Sequence, residues 1–119
     1  MQPRLAVISL WAEDVPAAAH FYRDVIGLNL LHHPGSRPHF KVNDSYLTIL
    51  KGRPSPAEDA EPARFPLVAF AVEDLGAAID RLTAHGVMLP WGIEQDDASR
   101  WVMFHDPAGN LIELVQFRA

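Results

Sequence analysis

Three features are missing from this chain of 119 residues, and each absence excludes a class of protein. There is no cysteine, which excludes disulfide bonds and thiolate metal sites. No apolar run approaches the roughly 20 residues that a membrane-crossing helix needs. Lysine and arginine form no cluster, and a formal charge of −5 disfavours binding to a phosphate backbone. We therefore expect a cytoplasmic protein that binds neither nucleic acid nor membrane.

A repeat relates the two halves of the chain. Residues 13–18, EDVPAA, recur as EDLGAA at 73–78, sixty positions later. The stretch between the halves is rich in proline and charged residues, a composition that resists regular structure. We interpret the chain as one domain, residues 1–119, made of a first module (1–50), a linker (51–66) and a second module (67–119).

Each half predicts one amphipathic helix. The first helix is capped by Asp14 and stops at Gly27, and the second is capped by Asp74 and stops at Gly86. Strand patterns precede and follow each helix, separated by turn signals that include a polar stretch at 94–99. The predicted strands are 5–11, 28–33, 39–42 and 46–50 in the first half, and 67–72, 87–91, 100–104 and 111–117 in the second.

Two motifs carry a resemblance to a known family. They are FYRDVIGL at 21–28, seven positions after Asp14, and DPAGNLIEL at 106–114. The chain resembles the vicinal oxygen chelate superfamily of glyoxalases, bleomycin resistance proteins and extradiol dioxygenases. That resemblance implies an α+β fold with two tandem βαβββ modules, which form a curved mixed sheet around a cup. The modules would pair within one chain or be swapped in a homodimer.

The resemblance also implies four positions for metal ligands, one on the first and one on the last strand of each module. Enzymes of this superfamily use His, Glu or Gln there to hold a divalent cation. The corresponding residues of this chain are Val7, Thr48, Leu67 and Glu113. Only Glu113 is a good ligand, so we expect no metal cofactor. A purely structural role for the Glu113 carboxylate, satisfied by hydrogen bonds, is the alternative.

Histidines offer another way to build a metal site. His33, His39 and His105 could join Glu113 as unusual ligands of a divalent metal. No pair of histidines has helical i, i+4 spacing, and no H-E-x-x-H pattern occurs. Strand alternation also sends His32 and His33 to opposite faces, so at most one of that pair enters the cup.

Strand alternation from the ligand positions predicts the lining of the cup. The lining is apolar and aromatic with one acid, which favours a flat or hydrophobic organic molecule. The residues predicted to bind it are Ser9, Trp11, Tyr46, Thr48, Trp101 and Glu113. Core or dimer contact is the alternative role for each tryptophan. Glu113 is the only candidate catalytic residue, as a general base, and it could instead pair with a ligand cation.

Three hypotheses about function follow. The first is metal-independent binding of a small, partly aromatic or hydrophobic molecule by a homodimer, similar to bleomycin-resistance sequestration. The second is a metal-dependent lyase, isomerase or dioxygenase, similar to glyoxalase, with unusual ligands. The third is a structural domain without a ligand. Metal content distinguishes the second, and a ligand-dependent rise in Tm separates the first from the third.

Overall fold

The computed structural model describes residues 5–31, 37–53 and 67–118. The chain divides into two compact units, Met1–Pro54 and Ser55–Ala119. Each unit contains a strand, a helix and three further strands in that order, which confirms the predicted α+β fold of tandem βαβββ modules. Among the described residues, no helix is long and apolar enough to cross a membrane.

The first unit holds a mixed sheet of four strands in the order β1-β4-β3-β2. Strand β1 runs parallel to β4, and the other neighbours are antiparallel. Its elements are β1 (Val7–Ala12), α1 (Val15–His20) with a π-helical continuation (Phe21–Ile26), β2 (Asn29–Leu31), β3 (His39–Val42) and β4 (Ser45–Lys51).

The second unit repeats this topology with the strand order β5-β8-β7-β6. Strand β5 is parallel to β8, and the remaining pairs are antiparallel. Its elements are β5 (Val68–Ala71), α2 (Leu75–Ala84), β6 (Glu94–Gln95), β7 (Ser99–His105) and β8 (Leu111–Phe117).

Equivalent local signals begin and end the two helical segments. The Asp14 and Asp74 carboxylates each accept a hydrogen bond, 3.0 Å long, from the backbone N–H three residues later. Gly27 and Gly86 take positive φ values of 90° and 76°, where a residue with a Cβ would be strained. The predicted caps and stops are therefore confirmed. The π-helical continuation of α1 was not predicted.

One face of each sheet packs against the helical segment of its own unit. In the first unit the Tyr22 ring lies 6.1 Å from the ring of Phe40 on β3. In the second the Leu75 N–H donates to the Gln116 Oε1 atom of β8 over 2.7 Å. These covered faces carry the buried strand residues Leu10, Ala12, Phe40, Leu47 and Ile49 in unit one, and Val68, Val102, Phe104, Ile112 and Leu114 in unit two. We call the opposite side of each sheet its helix-free face.

The DPAGN motif has a structural role. Asp106 is buried, and its Oδ1 atom accepts from the N–H groups of Ala108 and Asn110 at 3.0 and 2.8 Å. Its Oδ2 atom accepts from the Asn110 side chain at 2.9 Å. Gly109 supplies the positive φ, 97°, that closes the turn between β7 and β8. The motif therefore fixes a turn rather than a reaction centre.

The prediction was wrong at one place in the second unit. Residues 87–91 form no strand, because Gly92 turns the chain with φ 62° and its N–H bonds to the Leu89 carbonyl. The strand lies later, at Glu94–Gln95, inside the stretch that was predicted to be a turn. Asp96 forms the turn that follows, since its carboxylate accepts from the N–H groups of Ala98 and Ser99. These bonds also lower the Asp96 pKa.

Other boundaries differ by a few residues. Strand β1 begins at Val7 rather than at Leu5, and β5 begins at Val68 rather than at Leu67. Strand β2 ends at Leu31, and His32 and His33 lie outside the described residues. Lys51 belongs to β4, and positions 54–66 of the predicted linker also lie outside the described residues.

Candidate functional site

The six residues predicted to bind a ligand divide between the two units. Ser9, Trp11, Tyr46 and Thr48 belong to the first sheet, and Trp101 and Glu113 belong to the second. The strand register places each of them on the helix-free face of its sheet. In the first unit this face carries Val7, Ser9, Trp11, Asn29, Leu31, His39, Lys41, Tyr46, Thr48 and Leu50. In the second it carries Ala69, Ala71, Glu94, Ser99, Trp101, Met103, His105, Leu111, Glu113, Val115 and Phe117.

Thr48 lies at the middle of the first helix-free face. Ser9 of β1 and His39 of β3 are its direct cross-strand neighbours. The Thr48 hydroxyl is buried and donates to the Pro38 carbonyl over 3.0 Å. The Nδ1 atom of His39 lies 3.1 Å from the Arg37 carbonyl. Because the Thr48 hydroxyl is buried and bonded to a backbone carbonyl while Ser9 is exposed, Ser9 has the more accessible hydroxyl of this row.

Tyr46 forms an aromatic and cationic corner beside that row. The ammonium nitrogen of Lys41 lies 4.7 Å from the centre of the Tyr46 ring, a cation–π distance. The His39 ring meets the Tyr46 ring edge-on, with the ring centres 6.3 Å apart. This end of the first sheet therefore carries positive charge next to a π surface.

Trp11 lies against glycine backbone. A Cβ atom added to Gly52 would lie only 2.6 Å from Cε3 of the Trp11 indole. The Gly52 N–H donates to the Ala12 carbonyl over 3.0 Å, which fixes this backbone beside the strand. The Trp11 side chain is nonetheless 47% exposed. The absence of a side chain at Gly52 therefore determines where the ring lies.

Glu113 lies on the second helix-free face, between Ala69 of β5 and Met103 of β7. These neighbours supply no hydrogen-bond donor from their side chains. Burial among them raises the Glu113 pKa, and repulsion from Glu94 raises it further. The half-buried Glu113 carboxylate therefore protonates more readily than an ordinary glutamate.

A second carboxylate, missed by the sequence prediction, accompanies Glu113. Glu94 of β6 is the cross-strand partner of Trp101 on β7. The Oε1 atom of Glu94 and the Nε1 atom of Trp101 are both buried, and neither has a hydrogen-bond partner among the residues that the structure describes. The signal for Glu94 was the Asp-Asp-Ala-Ser sequence at 96–99. The turn at these residues joins β6 to β7, and the two strands pair Gln95 with Arg100 and Glu94 with Trp101.

Of the three histidines considered as metal ligands, the structure describes His39 and His105, which belong to different units. His39 belongs to the first sheet, and His33 lies outside the described residues. His105 ends β7 and is exposed, with its ring 6.1 Å from the Trp91 ring. Within residues 5–31, 37–53 and 67–118, no group of three or more His, Asp or Glu side chains could hold a metal.

The four positions implied for metal ligands are poorly supplied with donors. Val7 and Leu67 are exposed aliphatic side chains, and the hydroxyl of Thr48 is already bonded to Pro38. One carboxylate with a neutral hydroxyl is a weak set for a divalent cation. These four residues therefore do not fit the divalent metal that enzymes of the superfamily hold at these positions.

The duplicated βαβββ architecture and its motifs define a class of protein, and comparison with known families identifies it. The chain belongs to the Glyoxalase/Bleomycin resistance protein/Dioxygenase superfamily, whose model matches residues 4–114. This confirms the resemblance stated from the sequence. No curated protein sequence matches the chain significantly.

Solved structures with similar folds have different activities. Lactoylglutathione lyase from Agrobacterium tumefaciens is 27% identical, with a TM-score of 0.74, over 98% of this chain and 95% of that one. TnmS3, an antibiotic binding protein from Streptomyces sp. CB03234, is 25% identical, with a TM-score of 0.77, over 98% of both chains. The oxidase ChaP-H2, 24% identical over 100% of this chain and 96% of that one with a TM-score of 0.77, is similar in fold alone.

Proposed function

We propose that the protein binds a small, partly aromatic or hydrophobic organic molecule without a metal. The observation that carries this proposal is the pair of aliphatic side chains, Val7 and Leu67, at two positions where the enzymes of the family hold metal. Both are exposed on their units, at 49% and 42%. Apolar groups there favour an organic ligand over a hydrated cation.

Aromatic and polar groups on the helix-free faces support the same proposal. Trp11 and Tyr46 offer partly exposed rings on the first sheet, and Trp101 offers an indole on the second. Such rings bind flat molecules by stacking, while a few polar groups orient the ligand. Ser9 and Glu113 would supply those polar groups.

The structural relatives include a binding protein as well as an enzyme. The matches to TnmS3, an antibiotic binding protein, and to lactoylglutathione lyase each cover 98% of this chain. The poor metal-donor set of this chain favours the binding function. Catalysis by a glyoxalase-like lyase would need ligands from other positions.

The test combines metal analysis with a neutral aromatic probe. Protein purified without chelator or affinity tag is analysed for metal and then titrated with N-phenyl-1-naphthylamine, whose fluorescence rises in apolar surroundings. We expect less than stoichiometric metal and saturable probe binding that EDTA leaves unchanged. At a hundred-fold excess over Kd, binding should stabilise the protein by about 2.7 kcal/mol, seen as a higher Tm.

Matched variants locate the bound probe. Trp11→Ala and Trp101→Ala should each weaken binding about tenfold, in line with the loss of an aromatic contact. Met88→Ala is the control, because Met88 is 79% exposed and lies outside both helix-free faces. A stoichiometric metal that is lost in Glu113→Ala, with no probe binding, would instead favour the enzyme hypothesis.

We also propose that the protein is a cytoplasmic homodimer. Large apolar side chains remain exposed on the helix-free faces, including Trp11 at 47% and Phe117 at 64%. A second copy could cover such side chains. Light scattering at micromolar concentration should give twice the chain mass of 13.2 kDa. A monomer mass under these conditions would contradict the proposal.

A further inference from the structure

The second helix-free face carries two acids, Glu94 and Glu113, and the basic side chain among its described strand residues is the exposed His105. Glu94 is close enough to Glu113 for its charge to disfavour ionisation of the Glu113 carboxylate. The Arg100 side chain belongs to the covered face, because its neighbour Trp101 on β7 occupies the helix-free one. Arg118 bonds through Nη2 to Gln95 at 2.9 Å. Among the described residues, no lysine or arginine forms an ion pair with either acid.

A buried donor and a buried acceptor lie on adjacent strands of this same face. Trp101 and Glu94 are direct cross-strand neighbours, yet the indole N–H and the Oε1 atom do not bond to each other. Neither atom has another partner within the described part of the chain. An unpaired buried polar atom destabilises the fold, so a molecule that supplies the missing hydrogen-bonding groups would improve this arrangement. Those groups are a donor for Glu94 and an acceptor for Trp101.

We propose that the helix-free face of the second sheet selects an organic cation, an amidinium, guanidinium or protonated amine on an aromatic or apolar body, held by Glu94 and Glu113. A hydrogen-bond acceptor elsewhere on the same ligand binds the Trp101 indole N–H. This inference rests on the proposed function and names the ligand class of that site.

The surroundings of the two acids match such a ligand. Val115 and Met103 lie next to Trp101 and Glu113 on the same face, and they supply apolar and polarisable contacts for a flat body. An N–H cation that bonds to a carboxylate there makes charge-assisted bonds in a partly dehydrated setting. An organic cation also needs only one or two oxygen ligands, whereas a divalent metal needs more than this face provides.

The test compares matched cationic and neutral probes. Benzamidine and benzamide have the same planar shape and differ in charge, so calorimetric titration of both isolates the contribution of the cation. We expect benzamidine to bind at least about tenfold more tightly than benzamide. The preference should disappear in the Glu94→Gln, Glu113→Gln double variant, which keeps the side-chain shapes. Glu73→Gln, an exposed acid of the same unit, is the charge-matched control.

A second probe tests whether the indole N–H of Trp101 donates a hydrogen bond to the ligand. The compound 4-amidinobenzamide adds an amide acceptor to benzamidine. Its binding should move the indole N–H resonance of Trp101 in a ¹H–¹⁵N spectrum, assigned by loss of that resonance in Trp101→Phe. The same substitution should remove any gain in affinity over benzamidine. An unmoved resonance at saturation would overturn the assignment of the acceptor to Trp101.

The outcomes separate this inference from the proposed function. Equal binding of benzamidine and benzamide, with N-phenyl-1-naphthylamine still bound, overturns the cation preference and leaves the binding function intact. Failure of all the probes overturns both. Tight binding of Mn²⁺ that displaces benzamidine and is lost in the double variant overturns the inference as well, because the acids would then be metal ligands.

Discussion

The two sheets share one topology and differ in the charge on their helix-free faces. The first carries Lys41 above the Tyr46 ring, and the second carries Glu94 and Glu113 beside an indole. Their covered faces remain alike, with a fully buried phenylalanine on the central antiparallel strand of each sheet. The repeat has therefore kept the residues that hold helix to sheet. It has diverged on the helix-free faces, where the charged side chains differ.

The largest expected effect is a loss of folding stability, and it tests whether the two covered faces are equivalent. Phe40→Ala and Phe104→Ala remove side chains that are 0% exposed, so each should lower the free energy of unfolding by about 3–5 kcal/mol. Chemical denaturation measures both. Val7→Ala on a helix-free face is the control, and it should cost less than about 1 kcal/mol because Val7 is half exposed. A large loss for one phenylalanine alone would show that the two covered faces are not equivalent.

An intermediate effect should appear at a contact that is specific to the first sheet. Gly52→Ala places a Cβ within 2.6 Å of the Trp11 ring, so the ring must move and the cost should be about 1–3 kcal/mol. The Trp11 indole resonance should shift at the same time. Gly76→Ala, in helix α2, provides the contrast: its Cβ meets no atom closer than 3.4 Å, and we expect a gain of about 0.5–1 kcal/mol. An unmoved Trp11 resonance in Gly52→Ala would contradict the contact.

The smallest effect concerns the acids of the second sheet. The Glu113 pKa is raised above its ordinary value of 4.5, so the folded protein binds this proton more tightly than the unfolded chain does. Its contribution to stability is thus complete below pH 4.5 and is lost as the pH rises through the raised pKa. At neutral pH, Glu113→Gln should be more stable than the parent by less than about 1 kcal/mol.

A pH series of Tm values measures this difference. The advantage of Glu113→Gln should shrink as the pH falls below the ordinary glutamate value. Glu73→Gln is exposed and should show no such trend. If the stability advantage of Glu113→Gln instead grew on acidification, that result would contradict a raised Glu113 pKa.

Local signals made most of the fold predictable. The carboxylate of Asp74 and the positive φ of Gly86 act within one turn of the chain, so the sequence shows them directly. Strand β6 was missed because a strand of two residues is too short to show an alternating pattern. The composition of residues 87–91 is typical of a strand, but the chain turns at Gly92, which has a positive φ. Glu94 was missed with β6. The contact between Trp11 and Gly52 is long-range, and no local pattern encodes it.

The π-helical continuation of α1 gives the first module a tolerance for change in chain length. In that segment the Gly27 N–H bonds to the Tyr22 carbonyl five residues back, so the turn holds one residue more than an α-helical turn. Removing the exposed residue Arg23 or Asp24 would leave an ordinary α-helical turn that can still end at Gly27. We therefore expect that deletion of one residue here, upstream of β2, leaves the strand register of the helix-free face unchanged.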